Sequence, residues 1–133
     1  MPEVTVFPVT ERQFEHYLGN ASSPGDGVAH IARLVGAGLS NSMGAGVVVY
    51  ERLTIDWTFA FDEVVIVLEG AMSVRSGETV YDCRAGDVAW FPANQALTYE
   101  VADRVVVFYA TYPVASTLRD RGTSANIVSP STS

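Results

Sequence analysis

Apolar and polar residues alternate through the middle of the chain. In the stretch WTFAFDEVVIVLEG, from Trp57 to Gly70, an even period places Trp57, Phe59, Phe61, Glu63, Val65 and Val67 on one face of an extended strand, because successive strand side chains point to opposite sides. Glu63 is a single carboxylate in that apolar row. Runs rich in β-branched and aromatic residues predict further strands at Val28 to Val35, Val47 to Leu53, Asp87 to Phe91, Leu97 to Val101 and Arg104 to Tyr112. Gly70 is expected to turn the chain, and Ala71 to Arg75 is expected to pair with Glu78 to Cys83 across Ser76-Gly77. Short strands at this spacing predict an all-β fold, a double-sheet jelly-roll barrel.

The ends of the chain read differently. Thr10, followed three residues later by Gln13, has the pattern of a capping box and predicts a short N-terminal helix over Glu11 to Leu18, with Phe14, Tyr17 and Leu18 on one side. Asn20 to Gly27 and Gly36 to Gly46 read as connections, the second long enough to shape a barrel mouth. Pro113 ends the sheet, and the polar stretch Arg119 to Ser133 is expected to be a mobile tail. The expected organisation is therefore an N-terminal segment, residues 1–42, packed on a barrel core of residues 43–115, with residues 116–133 as the tail.

Composition narrows the partners. A chain of 133 residues suits one core. Its 15 acidic and 8 basic residues give a net charge of −7, which disfavours nucleic acid and anionic membrane surfaces as partners. No apolar run approaches the roughly 20 residues needed to span a bilayer. Met1 is followed by Pro2 and Glu3 rather than by a signal-like segment. Cys83 is the single cysteine and has no partner for an internal disulfide, so a reducing, cytoplasmic setting is expected.

Two glycine spacings carry a family resemblance. Glu63 is followed by six residues and Gly70, and Gly86 by five residues and Pro92; the pair is similar to the two motifs of the cupin superfamily. Trp57, Thr58, Asp62, Glu63, Val67, Leu68, Glu69 and Gly70, with Gly86, Asp87, Val88 and Pro92, resemble in particular the ethanolamine-utilisation EutQ group, over about Met43 to Pro113. The resemblance implies a cupin barrel whose lumen is the ligand site. Cupin metal sites use histidines at positions that fall here on Trp57 and Phe59 or on Asp56 and Thr58, with a third on Leu97. Only the glutamate is kept, so neither a metal nor another cofactor is expected. Phe61 and Val65 depart from the EutQ pattern, which carries a tyrosine and an acid at those positions.

Glu63 is the main candidate for chemistry. Flanked by Phe61 and Val65, its carboxyl group loses hydration, which raises the pKa and suits it to acid or base work near neutrality; the alternative is a structural remnant of a lost metal site. Tyr99 shares the face of Leu97, the lumen side in cupins, and is the second catalytic candidate, with packing as the alternative. Trp57, Phe59, Phe61, Tyr50, Leu97 and Tyr109 are candidate ligand-binding residues. His16 and His30 lack ligand-like neighbours in sequence, although an oxygen-rich set of Glu63, Asp56 and His30 is conceivable.

Three functions follow. The first is a metal-independent lyase or isomerase that acts on a small carbonyl, amine or acid in the lumen. The second is a non-catalytic binding or scaffold protein of ethanolamine-type catabolism, and the third a metallo-cupin dioxygenase with replaced ligands. An acetate kinase activity has been attributed to EutQ relatives, but this sequence has no glycine-rich phosphate loop with lysine and no lysine anywhere. The barrel is expected to pair as a homodimer, since an open barrel has edges to cover.

Overall fold

The computed structural model describes residues 3–19, 27–36, 38–113 and the backbone of 124–128. After a 3-10 turn at Val9–Glu11, the described residues form strands β1 (Glu15–Gly19), β2 (Val28–Val35), β3 (Gly44–Glu51), β4 (Thr54–Thr58), β5 (Asp62–Ser76), β6 (Thr79–Arg84), β7 (Val88–Phe91), β8 (Ala96–Glu100), β9 (Arg104–Tyr112) and β10 (Ser124–Val128). All the pairings are antiparallel. One sheet runs β1-β2-β3-β9-β5-β7 and the other β6-β5-β8-β4-β10. This is the double-sheet jelly roll that the strand spacing predicts.

β5 belongs to both sheets. Residues 62–70 pair with β9 and residues 71–76 with β6. The chain does not reverse at Gly70, as the sequence suggests, but bends there and continues in the opposite sheet. Gly70 has φ +78° and lies so close to β9 that a Cβ would come within 2.2 Å of the Arg104 carbonyl oxygen. Only glycine meets both demands, and a register shift between Val67 and Glu69 supplies the rest of the bend.

The alternation from Trp57 to Val67 also crosses a break. Trp57 lies on β4 and Glu63 on β5, in different sheets, with residues 59–61 between them. Trp57, Phe59, Phe61, Glu63, Val65 and Val67 are nevertheless all buried. The connection thus stays extended and keeps its parity. In the β5–β6 hairpin Ser76 pairs with Thr79, so the two turn residues are Gly77 and Glu78, one position later than expected; Gly77 takes φ +61°.

The N-terminal helix is not formed. Glu15–Gly19 is an edge strand paired with β2, and among the described residues the helical content is one 3-10 turn. The cause lies in a register shift between His16 and Leu18. It makes Tyr17 an extra residue, so Tyr17 and Leu18 both pack against the core, and two adjacent inward residues imitate helical spacing. β1 and β2 are thus strands of the first sheet rather than a layer laid on it. Within the expected tail, Ser124–Val128 pairs with β4 from Val128↔Thr54 to Ser124↔Thr58. The rest of residues 116–133 and the Asn20 to Asp26 connection lie outside the described residues.

Both sheets turn their apolar faces inward. Trp57, Tyr99, Leu53, Ile55, Val67, Val74, Val105 and Val107 are fully buried in one core. Among the described residues no helix is long and apolar enough to cross a membrane.

Candidate functional site

The site grows out of the pairing of four strands. On the inner face of the first sheet, register places Phe91, Glu63, Thr111 and Gly44 in one row and Val65, Tyr109, Gly46 and Arg33 in the next. A third row, Val67, Val107, Val48 and Ile31, is wholly apolar. Gly46 sits between Arg33 and Tyr109 without a side chain, and a Cβ there would lie 2.7 Å from the Tyr109 hydroxyl. The phenol therefore leans into space that only glycine leaves open.

These rows and the second sheet enclose a cavity of about 60 Å³ lined by Tyr17, Ile31, Arg33, Val48, Tyr50, Phe59, Phe61, Glu63, Val65, Tyr99, Val107, Tyr109 and Thr111. At roughly 10–15 Å³ of such space per water, it holds a molecule of a few carbon atoms. Stacked rings form one wall. Trp57 lies on Phe59 with centroids 4.7 Å apart, Phe59 meets Phe61 at 5.1 Å, and Tyr17 of β1 stacks on Trp57 at 6.2 Å, closing that side of the barrel. Tyr99 meets Tyr50 edge-on at 5.8 Å.

Glu63 is 7% exposed. Burial pushes its carboxyl group up to about 8, against the opposing pull of a hydrogen bond from Tyr99. At pH 7 it is predominantly the neutral acid, able to donate. Its Oε1 is buried without a hydrogen-bond partner. Such an atom, lining a cavity, marks a place for a ligand, since native folds satisfy nearly all their buried polar groups. Burial holds Tyr50 and Tyr99 well above the phenol range, with Glu63 adding to the effect on each. Tyr109 rises to about 12 through burial, with Arg33 drawing it down and Glu63 pushing it up. The phenols are therefore hydrogen-bond donors at neutral pH.

Glu63, Tyr99, Tyr50, Phe59, Phe61 and Tyr109 come together around the cavity. Trp57 and Leu97 do not line it: Trp57 lies behind Phe59, and Leu97 lies on the floor of a separate outer groove beside Phe91. The Glu63, Asp56 and His30 set is not assembled. His30 meets His16 edge-to-face at 6.3 Å on the side of β2 opposite to Ala29 and Ile31, and exposed Asp56 accepts a hydrogen bond from Thr98 Oγ1 at 2.8 Å. Asp62 points outward and accepts from the Ala93 amide at 2.9 Å. Cys83 is buried and free, with its thiol pushed up by burial and then by Asp87 and Asp82.

The lumen also contains three residues that sequence reasoning overlooked. Arg33 and Thr111 continue inward-facing periods, Ala29–Ile31–Arg33 and Val105–Val107–Tyr109–Thr111, which extending the alternation would have reached. Tyr17 was hidden by the bulge in β1.

A family model described as "Ethanolamine utilisation protein EutQ" matches residues 7–117. The chain belongs to the EutQ family. It is 32% identical over 73 residues to the Escherichia coli K12 protein named acetate kinase EutQ, a match that covers 55% of this chain and 31% of the relative. The chain thus spans about a third of that relative's length. Among solved structures, an ethanolamine utilization protein Q from Salmonella typhimurium LT2 superposes with TM-score 0.63 at 24% identity, over 78% of this chain and 97% of that one. Ectoine synthase from P. lautus superposes with TM-score 0.65 at 14% identity, over 77% and 78% of the two chains. Both likenesses concern the fold, a cupin barrel.

Cupin barrels commonly hold a metal, but this lumen does not suit one. At the histidine positions stand Trp57, Phe59 and Leu97, or Asp56 and Thr58 of β4; among the described residues the polar lining is one carboxyl group, phenols, a threonine and a guanidinium. That is a donor set for oxygen atoms of a ligand, not for a divalent ion.

Proposed function

We propose that this EutQ-family cupin binds a small carbonyl or acid metabolite in its lumen and that Glu63 serves there as general acid and base, in metal-independent lyase- or isomerase-type chemistry. One observation carries the reading: a neutral, buried carboxyl group whose Oε1 lacks a partner faces a cavity of metabolite size. An acid with a pKa near neutrality both gives and takes a proton efficiently. Tyr99, hydrogen-bonded to Glu63, orients it, and the surrounding phenols polarise a carbonyl oxygen. The test is exchange of the α-protons of small oxo compounds with solvent deuterium, followed by NMR. Glu63→Gln should slow exchange by about 10²- to 10⁴-fold with the fold intact. Unchanged exchange together with raised stability would end the catalytic reading.

A second reading is favoured by the outside of the barrel. In the first sheet Val64, Leu68, Val88 and Trp90 point outward and are exposed, with Trp90 at 63%. Register makes Val64 and Trp90 direct neighbours, and Ile66 and Val88 likewise. A continuous apolar sheet face suits a protein that acts by association, as a homodimer or as a scaffold in ethanolamine-type catabolism. Acetate kinase is the name of relatives of which this chain spans a third to a half. Among the described residues lining the lumen Arg33 is the one cation, which gives little to hold a nucleoside triphosphate.

A further inference from the structure

The polar groups of the lumen are unevenly distributed, and the difference between its two ends selects a ligand. Arg33 lies at the mouth with its side chain 43% exposed, while Glu63 is buried within. Arg33 is the one basic side chain among the described residues that line the cavity. Its guanidinium stands 5.6 Å from the centroid of the Tyr17 ring and pairs with Glu15 outside. Gly46 stands between it and Tyr109 in the row, and the Tyr109 phenol leans over the glycine.

We infer that the lumen takes short oxo or hydroxy acids, with Arg33 receiving the carboxylate at the mouth and the Glu63 carboxyl group meeting the second oxygen within. The inference rests on the reading of the lumen as the ligand site and narrows it to bifunctional anions. Arg33 is then a specificity-determining residue. Its fork of N–H donors matches a carboxylate, and the Tyr17 ring attracts the guanidinium from 5.6 Å through its π face. The exposed Glu15 pair is weak and solvent-screened, so a ligand carboxylate shares or replaces it. The orphaned Oε1 of Glu63 gains the partner it lacks. An ammonium ligand meets a guanidinium in the cavity wall where an acid finds its partner. A simple acid fills only one of the two points, so the second oxygen is what the lumen recognises.

Calorimetry of the full chain at pH 6.5 tests this with three probes of one skeleton, 2-oxobutyrate, 2-oxobutyramide and 1-amino-2-butanone. The wild type should bind the acid roughly tenfold or more tighter than the amide, the contribution of a charge-assisted hydrogen bond, and the amine most weakly. Arg33→Gln should bring the acid-to-amide ratio close to one, with most of the loss falling on the acid. Glu15→Gln, which releases Arg33 without touching the lumen, should raise affinity for the acid and provides a reading even if Arg33→Gln fails to fold. Equal binding of acid and amide by the wild type, or a ratio that survives in Arg33→Gln, overturns the inference and leaves the lumen reading standing. Failure of the wild type to bind either compound overturns both.

Discussion

Replacing Glu63 by glutamine should change how stability depends on pH. The carboxyl group titrates near 4.5 in the unfolded chain and near 8 in the fold. Below pH 4.5 both states are protonated and the group contributes no difference. Between 4.5 and 8 the unfolded chain ionises while the folded one keeps its proton, so stability falls as pH rises. Above 8 the full penalty applies. At about 1.4 kcal/mol per pH unit this reaches about 5 kcal/mol, a third or more of what holds most domains together. Glutamine keeps the volume and the hydrogen bond to Tyr99 but carries no charge. Chemical denaturation of both proteins from pH 5 to pH 9 isolates the effect, because their difference cancels every other titrating group. Glu63→Gln should be within about 1 kcal/mol of wild type at pH 5 and several kcal/mol more stable at pH 9. A difference that stays constant to within 1 kcal/mol over that range would refute the argument that burial keeps Glu63 neutral.

Three further outcomes are expected. Tyr99→Phe removes the hydrogen bond that lowers the Glu63 pKa, so the midpoint of its carboxyl resonance should move up in an NMR titration; a downward move would contradict the contact. Gly46→Ala puts a Cβ 2.6 Å from the Ala32 carbonyl oxygen and 2.7 Å from the Tyr109 hydroxyl, which should cost roughly 1–3 kcal/mol in a denaturant melt and weaken ligand binding. Trp90→Glu on the outer sheet face should shift a dimer to monomer in sedimentation velocity while leaving the melting temperature of the barrel little changed; a wild-type monomer at micromolar concentration would remove the homodimer.

Much of the fold could be read from the chain because half-buried strands write their burial as an alternation. β2 and β9 fall where periodicity puts them, and the Trp57 to Val67 row is buried throughout. The same signal is blind to sheet membership: Trp57 and Glu63 share a parity but lie in different sheets. It also fails where a bulge breaks the period, so Tyr17 and Leu18 read as helix. Glu63 stood out as a charge in an apolar row, and the structure gives that oddity its content in an orphaned Oε1. Arg33 gave no comparable contrast, because a lone arginine near a strand end looks like any solvated surface residue. Its place in the site depends on Gly46, which stands between it and Tyr109 on the neighbouring strand but far from Tyr109 in sequence, and on Glu15 and Tyr17 across a connection.

The sharing of β5 between both sheets has a consequence for how the protein is made. β5 takes β6 and β7 as partners from the residues that follow it closely, but its longest pairing is with β9, from Asp62↔Tyr112 to Gly70↔Val105. Such distant pairings make folding slow, on the order of milliseconds to seconds for β-rich domains. On the ribosome the wait is longer, since synthesis from Glu69 to Tyr112 takes roughly 2–9 seconds at 5–20 residues per second. Throughout that interval the run Val64 to Leu68, five apolar β-forming residues in a row, has an open edge and is a template for pairing with other nascent chains. Asp62, Glu63 and Glu69 bracket it. In the unfolded chain Glu63 titrates normally and is ionised at neutral pH, so the residue that is neutral inside the barrel serves, before the barrel exists, as one of the charges that keep its own strand from aggregating.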